Sequence, residues 1–216
     1  MTATDSLMTW LRVRRETDWR HAPALRQGLP ANDGFRAWCE GPVRRRDPVR
    51  AERLLSAHTL ARADAARRAP LDFDLLAGWQ REVLGGGEAP FRTGDAYAKA
   101  GRERYGLTPR TGADFAACLR EATAPGLPLA ARAARAYLDV AFFHPFTDGN
   151  ARAALLTLVH ILAREDIVLP EVGPLQTTRY ADDPAGAADL AALIGVLNRR
   201  RRSAHRSRGR TPSRAS

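Results

Sequence analysis

The segment from Ala151 to Asp166, ARAALLTLVHILARED, is apolar nearly all the way round, and only Arg152, Thr157 and His160 interrupt it before its charged end. A helix with one polar side can lie on a surface. One that is apolar around its whole circumference has to be enclosed by other elements. The chain must therefore bury this helix in the middle of a bundle and supply amphipathic helices to cover it. With 216 residues it is long enough for one such core and too short for two full domains.

The covering helices can be read from spacing. Between Asp47 and Arg68, Val49, Leu54, Leu55 and Leu60 fall at near-helical intervals, with Asp47 placed as N-cap and Pro48 at the first helical position. Phe73, Leu76, Trp79 and Val83 recur at three- and four-residue steps, and Gly85 to Gly87 supply a left-handed stop. A helix over 111–122 turns Phe115, Cys118 and Leu119 inward. Another over 129–143 carries Ala133, Tyr137, Val140 and Ala141 on one stripe. The last periodic stretch starts near Asp182 or Asp183 and points Leu190, Leu193, Ile194 and Leu197 inward.

Two regions interrupt this pattern. Residues 1–45, around Leu7, Trp10 and Leu11, are punctuated by Pro and Gly and predict short helices joined by loops. Pro90 and Gly94 break the helical period, and the alternation around Ala96 to Ala98 suits a short hairpin. The expected architecture is all-α, a helical bundle around a buried central helix with one small β-hairpin. It divides into an N-terminal helical and loop segment (1–45), a main domain (46–198) and a tail (199–216).

The formal net charge of +10 looks like a nucleic-acid signal until its position is considered. The tail 199–216 holds eight arginines and no acid, and removing these eight takes the formal charge from +10 to +2. Rich in Arg, Ser, Gly and Pro, the tail has too little apolar surface to offset its ordering entropy and is expected to be disordered. Such a tail binds nucleic acid or an acidic partner weakly, by counterion release. No apolar run reaches the length of a membrane span, and the amino terminus has no signal-peptide core, so the expected compartment is the cytoplasm without membrane attachment. Cys39 and Cys118 have no CxxC spacing and are expected to be small buried residues.

The chemistry concentrates in His144-Pro145-Phe146-Thr147-Asp148-Gly149-Asn150-Ala151-Arg152, a loop between two predicted helices. A loop rising into the first turn of a helix presents free backbone N–H groups and a dipole that favours an anion. Gly149 lets the backbone approach a ligand, Asn150 caps the helix or hydrogen-bonds a phosphate oxygen, and Arg152 is placed to grip phosphate bidentately. Asp148 is the natural ligand for Mg²⁺, which takes one or two carboxylates beside substrate phosphates. His144, with an ordinary pKa of about 6.5, suits a general base acting on an incoming hydroxyl.

This segment resembles the signature of the Fic family, HxFx(D/E)GNGRxxR. HPFTDGNARAAL matches six of its eight fixed positions. The resemblance runs most clearly over 129–165 and more weakly back to Phe91. It implies an all-α fold and transfer of a nucleoside monophosphate, AMP from ATP, to a Ser, Thr or Tyr hydroxyl of a target protein, with Mg²⁺. By resemblance His144 is the catalytic base and Asp148 the metal ligand, while Gly149, Asn150, Ala151 and Arg152 form the phosphate-binding set. The stretch containing Thr93, Gly94, Asp95, Ala96 and Tyr97 resembles the family's flap, a hairpin that holds the target as an added strand.

Two positions depart from the signature. Ala151 replaces Gly or Lys, and Leu155 stands where the second Arg grips the outer phosphates. The readings left open are weaker use of ATP, a compensating arginine such as Arg92 or Arg110, and a different phosphate-bearing donor. The family's self-inhibitory helix, (S/T)xxxE(G/N), is absent from the sequence, which leaves either no inhibition or inhibition by a separate partner. Two further readings stand beside the transferase. One is a Doc-like enzyme that binds the nucleotide reversed and moves its γ-phosphate; the other is a non-catalytic binding module that uses the basic tail.

Overall fold

The computed structural model describes residues 5–27 and 32–207, with side chains described through Arg199. Helix α1 (Ser6–Glu16) is capped by Asp5, whose carboxylate accepts the Leu7 N–H, and turns Leu7, Trp10 and Val13 into the core. After a 3₁₀ turn at Trp19–His21 come α2 (Gly34–Trp38), a wider π turn at Cys39–Val43, and α3 (Arg44–Arg46). Pro42 lies inside the π turn, where its missing N–H removes an ordinary helical hydrogen bond. Asp47 then breaks the helix with extended backbone and caps α4 (Pro48–Ala66) by accepting the Arg50 N–H at 2.9 Å, as the Asp-Pro pair predicted.

The inward face of α4 differs from the one read from spacing. Val49 is 58% exposed and Leu60 43%. The buried stripe consists of Ala51, Leu54, Ala57, Ala61 and Ala65, together with His58 and Asp64. Alanine contributes little to a hydrophobic pattern, yet its small side chain lets two helix backbones approach closely. Helix α5 (Phe73–Leu84) buries Leu76, Trp79 and Val83 as expected, and Gly85 ends it in a left-handed conformation at φ 86°.

Strands β1 (Ala96–Ala98) and β2 (Glu103–Tyr105) form the single described sheet, an antiparallel hairpin pairing Ala96 with Tyr105 and Ala98 with Glu103. Three helices follow: α6 (Thr111–Thr123), α7 (Leu129–Phe143) and α8 (Asn150–Ala163). The fold is an all-α bundle with one small hairpin.

The expected central helix, α8, is buried, and α7 is enclosed beside it. Helix α8 packs against α7, α4 and α5, burying Leu155, Leu156, Leu158, Ile161 and Leu162. Helix α7 is enclosed by α8, α6, α9 and α1, with Ala130, Ala131, Ala133, Ala134 and Ala136 all buried. His160 is a packing residue, its Nδ1 bonded to the Ala61 carbonyl at 3.1 Å and its ring against Trp79. Both cysteines are free and buried, and burial pushes the Cys39 thiol up to about 12.

Helix α9 (Pro184–Ser207) starts at Asp183, whose carboxylate accepts the Gly186 N–H, and buries Leu190, Ile194 and Leu197. Its helical backbone runs through Ser207, into the segment expected to be disordered. Arg, Ala and Ser continue a helix already nucleated on the core, and no Gly or Pro intervenes before Gly209. Residues 208–216 of the expected tail lie outside the described residues. Among the described residues no helix is long and apolar enough to cross a membrane.

Candidate active site

The site is built where α7 ends and α8 begins. His144 closes α7 in a left-handed conformation (φ 49°, ψ 54°) and donates its backbone N–H to Val140 at 3.2 Å. Two residues on, Phe146 is buried and stacks on Phe73 with ring centroids 5.4 Å apart, which anchors the loop. Gly149 adopts φ 77° and forms the N-cap of α8.

The imidazole of His144 is oriented from two sides. Its Nδ1 lies 2.8 Å from the Ala141 carbonyl, which only accepts, so Nδ1 carries the proton and Nε2 keeps the lone pair in the neutral ring. Its face stacks on Tyr105 of β2 at 4.8 Å and 21°. Burial lowers the pKa of His144 below its ordinary value; the Ala141 hydrogen bond opposes this and the charges of Arg92 and Lys99 add to it. The ring is therefore neutral at neutral pH.

Asn150 differs from its expected role. Its Oδ1 accepts the Phe146 N–H at 2.9 Å and its Nδ2 donates to the Phe146 carbonyl at 2.7 Å, so the side chain is turned inward and buried. It ties the loop into a closed turn, because a buried amide needs its donors and acceptor satisfied. The backbone N–H groups of Asn150 and Ala151 are left at the open end of α8, with no acceptor among the described residues. Asp148 has a 76% exposed side chain, and one carboxylate oxygen lies 2.9 Å from Arg152 Nη2. Arg152 also donates to the Val83 carbonyl at 3.3 Å.

Gln80 of α5 buttresses the loop from below. Fully buried, it donates through Nε2 to the Asp148 carbonyl at 2.6 Å. A Cβ on Gly149 would stand 2.3 Å from that nitrogen. Gly149→Ala is thus expected to incur both the left-handed penalty of about 1–2 kcal/mol and the loss of the Gln80 tie. Gly87→Ala, at φ 86° in open space, incurs the first penalty alone. Thermal unfolding of the two variants should place Gly149→Ala lower, and equal midpoints would refute the steric part of this account.

A cleft of about 640 Å³ opens above the loop. It is lined by His144, Asp148 and Arg152 of the loop and α8, by Tyr97 of β1, and by Arg46 and Arg50. A second cavity of about 250 Å³ lies across His144 and Ala151, bordered by Lys99 and Tyr105. Of the expected flap residues, Ala96 and Tyr97 are in β1, while Thr93, Gly94 and Asp95 form the approach to it. Asp95 fixes that approach, with an ion pair to Arg104 at 2.8 Å and a hydrogen bond from Leu107 N–H at 2.8 Å.

A profile of the Fic/DOC family matches residues 70–162. Those residues form a Fic/DOC domain. In fold the chain is similar to a Fic-domain-containing signaling protein from Bacteroides thetaiotaomicron VPI-5482, at 15% identity and TM-score 0.53, over 78% of this chain and 75% of that one. It is similar also to Fic-1 from C. elegans, at 16% identity and TM-score 0.52, over 94% and 73%. Sequence comparison with curated proteins gives no match.

The Fic/DOC domain contains α5 through nearly all of α8, and hence the His144–Arg152 loop, the hairpin and Gln80. Arg46 and Arg50, which complete the cleft, precede it. Neither arginine considered as a substitute for the missing signature Arg fills that place. Arg92 is buried, donating to the carbonyls of Phe143, Gly94 and Gly106, and so fastens both ends of the hairpin to α7. Arg110 stands before α6, paired at 3.6 Å with Asp114, and is not among the cleft residues. Gln80 and Tyr105 left no signal in the sequence, since a polar or aromatic residue at helical or strand spacing reads as packing.

Proposed function

We propose that this protein transfers a nucleoside monophosphate from a nucleoside triphosphate to a Ser, Thr or Tyr hydroxyl of a target protein, with His144 as general base. The observation that carries this reading is the shared cleft: the lone pair of a neutral, oriented imidazole beside a helix start with open N–H groups, a carboxylate and a guanidinium. The target hydroxyl loses its proton to His144 Nε2 and its oxygen attacks the α-phosphorus. The bond to the bridging oxygen breaks and pyrophosphate leaves. The Asn150 and Ala151 N–H groups stand where negative charge collects on the transferring phosphoryl oxygens.

Asp148 fits Mg²⁺ as a single exposed carboxylate in the phosphate cleft, the ligand class this ion combines with substrate phosphates. When bound there, the ion would neutralise phosphate charge and stabilise the leaving pyrophosphate. Arg152 would exchange its Asp148 partner for a phosphate oxygen. The outer edge of β1, unpaired within the hairpin and carrying Tyr97 at the cleft, suits a target segment added as a third strand.

Leu155, buried at 1% exposure, keeps a Doc-like reading in play, in which the reversed nucleotide gives its γ-phosphate to the hydroxyl. The test is incubation with Mg²⁺, each of the four nucleoside triphosphates and cell lysate, followed by peptide mass spectrometry, with His144→Ala in parallel. A nucleotidyl mass gain that needs His144 is the expected result. A bare phosphoryl gain would replace it with the Doc-like reaction, and no gain with any triphosphate would refute both.

A further inference from the structure

We infer that Arg46 and Arg50 hold the outer phosphates of the donor, taking the place of the cation that Leu155 does not supply. The inference rests on the nucleotide-binding reading above and names the partner residues within that same cleft. Leu155 lies three positions past Arg152 on α8 and is 1% exposed in the core, so α8 offers the cleft one guanidinium only. A triphosphate brings more charge than Arg152 and one ion can balance. Arg92 and Arg110 are excluded by their positions.

Two further arginines that line the cleft supply what is missing. Arg46 ends α3 and Arg50 stands in the first turn of α4, on either side of the corner made by Asp47 and Pro48. Asp47 sets this corner through extended backbone (φ −155°, ψ 93°) and its bond from Arg50 N–H. Its other oxygen meets Arg50 Nε at 3.3 Å, and the Arg50 side chain remains 55% exposed. Arg46 has no carboxylate partner among the described residues. Both line the cleft that holds His144, Asp148 and Arg152. Arginine's planar fork suits phosphate recognition by paired hydrogen bonds. The recognition of di- and triphosphates over monophosphates thus comes from a corner that precedes the residues matched to the Fic/DOC family.

The test is binding rather than turnover. Calorimetry with Mg²⁺ would compare inorganic tripolyphosphate, ATP and AMP on the wild-type chain, Arg46→Ala, Arg50→Ala and the double variant, with Arg45→Ala as a charge-matched control outside the cleft. Each single variant should lose about tenfold in affinity for tripolyphosphate and ATP, and the pair about a hundredfold, the scale of one charge-assisted hydrogen bond per residue. AMP binding should be unchanged, and so should all affinities of Arg45→Ala. Equal losses for AMP and ATP, unchanged tripolyphosphate binding, or a wild-type protein that does not prefer tripolyphosphate and ATP to AMP would each overturn the inference. Because no transfer is measured, these outcomes leave the transferase reading to its own mass-spectrometric test.

Discussion

His144→Ala is expected to lower the transfer rate by about 10²–10⁴-fold, the usual contribution of a positioned general base, while nucleotide affinity stays near wild type. The separation follows from where the charges lie. Phosphate recognition is assigned to the α8 start, Arg152, Arg46 and Arg50, whereas the imidazole acts only on the incoming hydroxyl. The pH profile supplies an independent signature. Burial lowers the pKa of His144, and the active form is the neutral one. Activity should therefore be level across neutral pH and fall only as pH drops through a folded value below the ordinary one of about 6.5. Quantifying modified target peptide against pH under single-turnover conditions checks both statements. A rate for His144→Ala within threefold of wild type, or a profile still rising above pH 7, would refute the assignment of His144 as base.

The sequence was informative about this site where the chemistry is local. His144, Asp148, Gly149 and Arg152 follow one another along a single loop, and the resemblance that names their roles needs only order and spacing. Asn150 shows the limit: its side chain faces inward because Phe146 is anchored on Phe73, a contact from another helix. Gln80, Arg46 and Arg50 enter the site from α5 and from the α3 to α4 corner, so only the folded chain brings them to the loop. The same reason explains Val49 and Leu60. Spacing marks a face as apolar, but which face turns inward is decided by close approach, and here alanines win it. The hairpin was legible as a break in helical period, while its fastening by Arg92 was not, since a buried arginine satisfied by three carbonyls has no signature in composition.

Asp139→Ala should be the most destabilising single substitution of a polar residue, by about 3–5 kcal/mol, because it strands a buried charge. Asp139 lies on α7 with no solvent exposure and accepts three hydrogen bonds from α1: Trp10 Nε1 at 3.0 Å, Arg14 Nε at 2.7 Å and Arg14 Nη2 at 3.1 Å. Burial works against the Arg14 charge, yet the charge of Asp139 and the hydrogen bonds that Arg14 donates to Asp139 and Glu121 outweigh it and hold its pKa above the ordinary value. Without Asp139, Arg14 would keep only Glu121, whose side chain is about half exposed and is shared with Arg135. The cause can be separated from loss of fit by the double variant Asp139→Ala with Arg14→Met, which removes both charges and should recover much of the loss, as replacing a whole buried pair often does. Urea unfolding of the wild type, both single variants and the double variant measures the coupling. A loss below about 1 kcal/mol in Asp139→Ala, or no recovery in the double variant, would show that the ion pair is not what fastens α1. Helix α7 ends at His144, so this pair also holds the helix that carries the proposed base. The double variant should then recover transfer activity together with stability.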